Sequence, residues 1–206
     1  MAAQGYLVIG VDSAGHGGRR YPDFDSRLSK TNPDFTCEFL AIVLETAKEV
    51  PFLIDELEQT AVVRNGRVGV AGISQGGFIT YTAVTLKPRL KVAVSIVGSP
   101  EWPLELPQNP HFHLGAFSRV FLPSQNAAKD ELVPSCYARD VHRRLERFYP
   151  DYGARFAYVE YASDHLLEAD WGTLWARTLA WFDRYMNRDQ SGRPYKPVSG
   201  DDLSPL

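Results

Sequence analysis

The sequence predicts an α/β fold: a mostly parallel sheet with helices on both faces, built as one domain. Three observations predict it. Short apolar, β-branched runs alternate with longer segments whose apolar residues recur at helical spacing, the order of βαβ units. The first of these runs, YLVIGV, carries no charge, as a strand covered on both faces should. The stretch VGVAGISQGGF, Val68–Phe78, passes from such a run through glycine and serine into a helical segment.

Taken in order, Tyr6–Val11 is expected to be a buried strand, followed by the glycine-rich loop DSAGHGGRR. Phe35, Phe39, Ile42, Val43, Thr46, Val50, Ile54 and Leu57 then recur at near-helical spacing. Pro51 has no N–H to donate and is expected to kink or split that helix after Val50. Arg64-Asn65-Gly66 reads as a turn, Val68–Ile73 as a second strand, and Gln75–Leu86 as a helix stopped by Lys87-Pro88. Val92–Val97 is the third strand. Residues 98–118 are irregular and rich in proline and aromatics. A weaker strand signal at Val120–Gln125 is interrupted by Pro123. Tyr137–Phe148 is helical with Arg and Glu outside, Phe156–Tyr161 is the last strand, and Trp171–Met186 is an amphipathic helix turning Leu174, Trp175, Leu179, Phe182 and Tyr185 inward. The domain is expected to span residues 1–187. The polar, proline-rich tail 188–206 is expected to be mobile or draped on the surface.

Composition removes several classes of function. A net charge of −3 gives no footprint for nucleic acid or an anionic membrane. No apolar run reaches membrane-spanning length, and the start MAAQGYLVIG lacks the basic region of a signal peptide. Cys37 and Cys136 are expected to be buried thiols and not a disulfide, which favours a reducing, cytoplasmic compartment. No G-x-G-x-x-G or P-loop follows a strand, so a redox or nucleotide cofactor is not expected. His111 and His113 form an H-x-H without a third ligand nearby, so no metal is expected either.

In a parallel sheet ligands bind beyond the carboxyl ends of the strands, so candidate residues must follow strands. Ser74 does. In Gly72-Ile73-Ser74-Gln75-Gly76 the turn is so tight that glycines flank it to avoid a clash, and the hydroxyl is left exposed at the sheet's edge. The Gln75 N–H then opens the helix and can face an oxyanion. The competing reading is an ordinary strand–helix turn with serine as N-cap. A serine nucleophile needs a base, and His165 in YASDHLL follows the last strand. His142 is expected on the exposed side of its helix. The base needs an acid. Asp130 in NAAKDELVP is favoured, with Glu101 after the third strand and Asp164 beside His165 as rivals.

The order Ser74, Asp130, His165 resembles the α/β-hydrolase fold family. Two further stretches carry the resemblance: GYLVIGVDSAGHG, Gly5–Gly17, is similar to the family's G-Y-x-V-x-x-x-D-x-x-G-H-G, and KDELVP, Lys129–Pro134, to its D-x-x-V-P acid loop. It covers roughly residues 3–187 and is closest to small esterases and dienelactone-hydrolase-like enzymes without a large cap domain. The resemblance implies Ser74 as nucleophile, Asp130 as acid, His165 as base and the Gln75 N–H as one oxyanion donor. It implies a serine carboxylesterase acting on a small-molecule ester, with a peptidase, a lactone hydrolase, a thioesterase or a non-catalytic relative as alternatives. Trp102, Leu104, Leu106, Phe112 and Phe117 are expected to pack as a loop or to wall a small acyl pocket, with Trp102 and Phe112 as substrate-binding candidates.

The family pattern includes strands upstream of GYLVIGVD that also supply the second oxyanion donor. The sequence lacks them, which leaves an unpaired strand edge. Three outcomes follow: the strands re-pair into a minimal sheet, a second copy covers the edge in a homodimer, or the chain is a fragment. His16–Gly18 is a candidate replacement donor loop.

Overall fold

A computed structural model describes residues 1–60, 63, 66–86 and 89–186. Four strands, β1 (Val68–Ile73), β2 (Leu90–Ile96), β3 (Leu122–Ala127) and β4 (Phe156–Tyr161), form one parallel sheet in that order. Helices α1 (Phe24–Arg27) and α2 (Phe35–Gln59) precede it. Helix α3 (Gln75–Thr85) joins β1 to β2, α4 (Ser135–Phe148) and the short α5 (Tyr152–Arg155) join β3 to β4, and α6 (Trp171–Met186) follows β4.

The period-2 alternation of β2 explains why both faces are covered. Val92, Val94 and Ile96 pack with Leu174, Phe182 and Tyr185 of α6. Ala93, pointing the other way, packs with Tyr81 and Val84 of α3 and Val141 and Leu145 of α4. Leu40, Val43, Ala47 and Ile54 of α2 bury against Phe78, Ile79 and Ala83 of α3. This packing lies on both sides of Pro51, which sits inside α2 without splitting it.

Pro123 is accommodated inside β3 by a gap in the pairing. Phe121 donates to Lys91 O and accepts from Ala93 N, so the alternation turns Pro123, two residues on, toward β2 as well. Proline has no N–H to give there, and the continuous β2–β3 register is confined to Ser95↔Ser124 and Ile96↔Gln125. On its other flank β3 pairs with β4 along its full length, from Leu122↔Phe156 to Ala127↔Tyr161.

Several expectations are corrected. Tyr6–Val11 forms no strand, and Leu7, Val8, Ile9 and Val11 are 58, 54, 44 and 52% exposed. A strand is stable only as one member of a ladder. Among the described strands β1 pairs with β2 alone, so the minimal re-paired sheet does not form. Trp175 faces out of α6 and stacks on Trp171, with ring centroids 6.0 Å apart, because the buried stripe runs through Leu174, Thr178, Phe182 and Tyr185. His142 is buried, on the same stripe of α4 as Ala138, Val141 and Leu145. Cys37 and Cys136 are free thiols, as expected, but both are exposed. Residues Arg64, Asn65, Lys87, Pro88 and the tail 188–206 lie outside the described residues.

Candidate active site

Ser74 joins the end of β1 to the start of α3 with φ 53° and ψ −114°, a conformation disfavoured for any residue with a side chain. Its N–H donates to Ile96 O of β2 at 2.8 Å, and its carbonyl accepts from Gly77 N and Phe78 N at 2.8 and 3.1 Å. The backbone is therefore held on both sides. The side chain makes no capping bond, so the N-cap reading of Ser74 does not apply.

The glycines around it are needed unequally. A Cβ on Gly72 would lie 2.0 Å from Gly76 O, and one on Gly77 would lie 2.7 Å from the Cα of Gly98 and 2.9 Å from Ile96 O. A Cβ on Gly76 meets nothing within 4 Å. The close approach of α3 to the end of β2 is thus made through Gly77 and Gly98.

His165, in the loop after β4, places Nε2 2.9 Å from Ser74 Oγ and Nδ1 2.7 Å from Asp130 Oδ2. Asp130 follows β3. Its other oxygen, Oδ1, accepts from Leu132 N and Val133 N at 2.9 and 2.8 Å. An ionised carboxylate can only accept, so Nδ1 of His165 carries its hydrogen toward Asp130. Nε2 is then free to accept the Ser74 hydroxyl hydrogen. The Asp130 side chain is fully buried and that of His165 is 18% exposed, so the constellation opens to solvent away from its Asp130 end.

Neither rival acid is bonded to His165, whose ring nitrogens meet Asp130 and Ser74. Asp164 Oδ1 accepts from Leu166 N within its own loop. Glu101 lies toward His111; burial pushes the His111 pKa below its ordinary value, and the Glu101 charge opposes that shift. In the loop at His16–Gly18 two of the backbone donors are used internally: His16 N donates to Ser13 O and Gly18 N to Asp12 Oδ2. Trp102 is buried among residues of α2 and α3, and Phe117 is buried against Tyr81, so these two pack as core. Phe112 is 51% exposed and lies against the His111 ring.

A second serine–histidine contact was not legible in the sequence. Ser124 Oγ of β3 lies 2.7 Å from His142 Nε2, with Tyr81 OH also on Ser124 and Tyr152 OH 2.7 Å from His142 Nδ1. Burial pushes the His142 pKa down to about 3, so the ring is neutral. Its partners are hydroxyls and none is a carboxylate, and both Ser124 and His142 are sealed from solvent. The network ties β3 to α3, α4 and α5. Among the described residues no group of three or more His, Cys, Asp or Glu is placed to hold a metal ion. His111 and His113 instead contact Asn109 Oδ1 and Pro107 O. No helix among the described residues is long and apolar enough to cross a membrane.

A parallel sheet with a strained serine between strand and helix, facing a histidine and an aspartate from later loops, defines the α/β class of hydrolases. Residues 1–203 match the Alpha/beta hydrolase family, and the chain belongs to it. It is 24% identical over 179 residues to "Putative esterase YitV" of Bacillus subtilis (strain 168), covering 72% of this chain and 69% of that protein. Among solved structures it is similar to TT1662 from Thermus thermophilus, with a TM-score of 0.66 and 22% identity over 84% of this chain and 75% of that one. It is also similar to the acylaminoacyl peptidase of Pyrococcus horikoshii, with a TM-score of 0.58 and 18% identity over 88% of this chain and 32% of that one. At these identities the structural likenesses establish the fold.

Proposed function

We propose that this hydrolase is a serine carboxylesterase that cleaves short-chain acyl esters through an acyl-enzyme. The observation that carries the reading is the unbroken run of hydrogen bonds from Ser74 Oγ through His165 to Asp130, at 2.9 and 2.7 Å. His165 accepts the Ser74 proton as Oγ attacks the ester carbonyl, and Asp130 stabilises the resulting imidazolium. The imidazolium returns that proton to the departing alkoxide. Water, deprotonated by His165, then cleaves the acyl-enzyme and frees Ser74. The Gln75 N–H, at the first residue of α3 where backbone donors have no intrahelical acceptor, stabilises the oxyanion. The chemistry requires no cofactor. Phe112, exposed, remains the candidate for the acyl side of the site, and Trp102, buried in the core cluster with α2 and α3, could act there only as support. The similarity to YitV supports an ester over an amide.

The same reading assigns a cytoplasmic homodimer. The free thiols of Cys37 and Cys136 support a reducing compartment, and the exposed apolar run Leu7–Val11, together with a β1 that among the described strands is paired on one flank only, supports coverage by a second copy. Sizing at micromolar concentration should return twice the 23.1 kDa chain mass, and a stable monomer rejects the dimer.

The test of function is hydrolysis of 4-nitrophenyl esters from acetyl to long acyl chains. Turnover should be fastest for the short chains and absent in Ser74→Ala. Hydrolysis that survives Ser74→Ala rejects the nucleophile. Faster cleavage of an aminoacyl anilide than of the acetyl ester replaces the esterase with a peptidase. No turnover and no labelling by an organophosphate leave a non-catalytic relative.

A further inference from the structure

Among the described residues three non-glycine positions have positive φ: Ser74 at 53°, Val97 at 41° and Leu167 at 55°. Ser74 directly follows β1, Val97 directly follows β2, and Leu167 lies two residues beyond His165 in the loop after β4. Cβ clashes disfavour leucine and β-branched valine there, and such residues persist only where their surroundings over-determine them.

Burial over-determines Leu167. Its side chain is 0% exposed, whereas the neighbouring Leu166 is 60% exposed. The left-handed turn sends Leu167 into a cluster with Ile96 and Val97 at the end of β2, Ala127 at the end of β3, Tyr161 at the end of β4 and Leu174 of α6. The backbone closes on either side of it. Leu167 N donates to Asp164 O at 3.2 Å, and Asp170 N donates to Leu167 O at 2.9 Å. His165 therefore sits one residue inside a short loop whose far end is plugged into the core.

The plug reaches the strand ends that set its partners. Ile96 supplies the carbonyl that holds Ser74 N, and Ala127 supplies the carbonyl that accepts from Asp130 N. We infer that Leu167 is a positioning residue. By locking the loop after β4 onto the ends of β2 and β3, it keeps His165 in register with Ser74 and Asp130 together. The inference rests on the acyl-transfer reading given above.

The test compares Leu167→Ala, Leu167→Met and Leu174→Ala in steady-state hydrolysis of the acetyl ester, with folding checked by near-UV circular dichroism. Leu174 belongs to the same cluster and is equally buried, but stands on α6, outside the turn Asp164–Leu167 that carries His165. Leu167→Ala should lower kcat by about 10- to 100-fold with KM within about twofold, since a small misplacement of a base acts on the chemical step. Leu167→Met should restore most of the loss, and Leu174→Ala should stay within about threefold of wild type. Unchanged kcat in Leu167→Ala, or an equal loss in Leu174→Ala, overturns the positioning role. If Leu167→Ala does not fold, Leu167→Cys, smaller than leucine but unbranched at Cβ, is read by the same criteria. Organophosphate labelling separates the two readings. A wild type that labels no faster than Leu167→Ala overturns the positioning role alone, and a wild type that does not label overturns the acyl-transfer reading and this one with it.

Discussion

His165 Nε2 lies 2.9 Å from Ser74 Oγ although 91 positions of sequence separate the two residues. Nothing local to either residue demands the contact; it follows from placing β1 and β4 in one parallel sheet whose carboxyl ends share an edge. If the pair transfers a proton, Ser74→Ala and His165→Ala should each abolish most ester hydrolysis, and the double variant should be little worse than either single one. Additive losses in kcat/KM would show that the two act separately.

Asp130→Asn tests orientation. Asparagine can keep accepting from Leu132 N and Val133 N through its oxygen, but it then presents an NH2 to His165 Nδ1. The imidazole must accept there and carry its hydrogen on Nε2, where it cannot take the Ser74 proton. A loss of roughly 10⁴-fold in kcat is expected, the size of such tautomer errors in serine hydrolases. Glu101→Gln should change kcat by less than about threefold. The reverse ranking would move the acid to Glu101.

Gly76 and Gly77 should respond differently to alanine. Gly77→Ala drives a Cβ into the Gly98 backbone and should cost about 1–3 kcal/mol of folding stability, whereas Gly76→Ala meets open space. Urea unfolding of both variants measures the difference, and equal midpoints would contradict the close approach of α3 to Gly98.

His142 makes stability depend on pH. Its folded pKa is held by burial at about 3, below the ordinary 6.5. The unfolded chain therefore binds this proton more readily than the native one. The stabilisation is fully present above about pH 6.5 and declines as pH falls toward about 3, by roughly 1.4 kcal/mol per unit once the unfolded form is protonated. Urea midpoints at pH 7, 5 and 4 should fall more steeply for wild type than for His142→Gln. Parallel slopes would remove His142 from the acid response. Asp23 also contributes in acid, since its bond from Arg27 lowers its pKa, and the comparison of variants cancels that contribution.

Much of this architecture was legible because it is local. The β4 run Phe156–Tyr161 and the α6 stripe Trp171–Met186 have the bounds expected from periodicity. The meeting of Ser74, Asp130 and His165 was legible because each follows a strand, and a parallel sheet gathers strand ends. What was missed depends on partners that no single segment encodes. Tyr6–Val11 has the composition of a strand but joins no ladder among the described strands. Pro123 stays inside β3 because β2 leaves a gap there. His142 looks like a solvent-facing residue until Ser124 and Tyr152 arrive from distant segments to satisfy both ring nitrogens. Gly77 became special only once Gly98 was set against it.

Ser74 follows β1, which among the described strands is laddered on one flank only. Amide protons of β1 that point away from β2 have no strand to protect them and should exchange with solvent fast, while those of β2, laddered on both flanks, should be the slowest in the sheet. Ser74 N, locked to Ile96 O, is the exception at the tip of the strand. Ser74 would thus follow the strand expected to open most readily, and any ligand that covers the outer flank of β1 should slow its exchange and steady the Ser74–His165 contact in the same act.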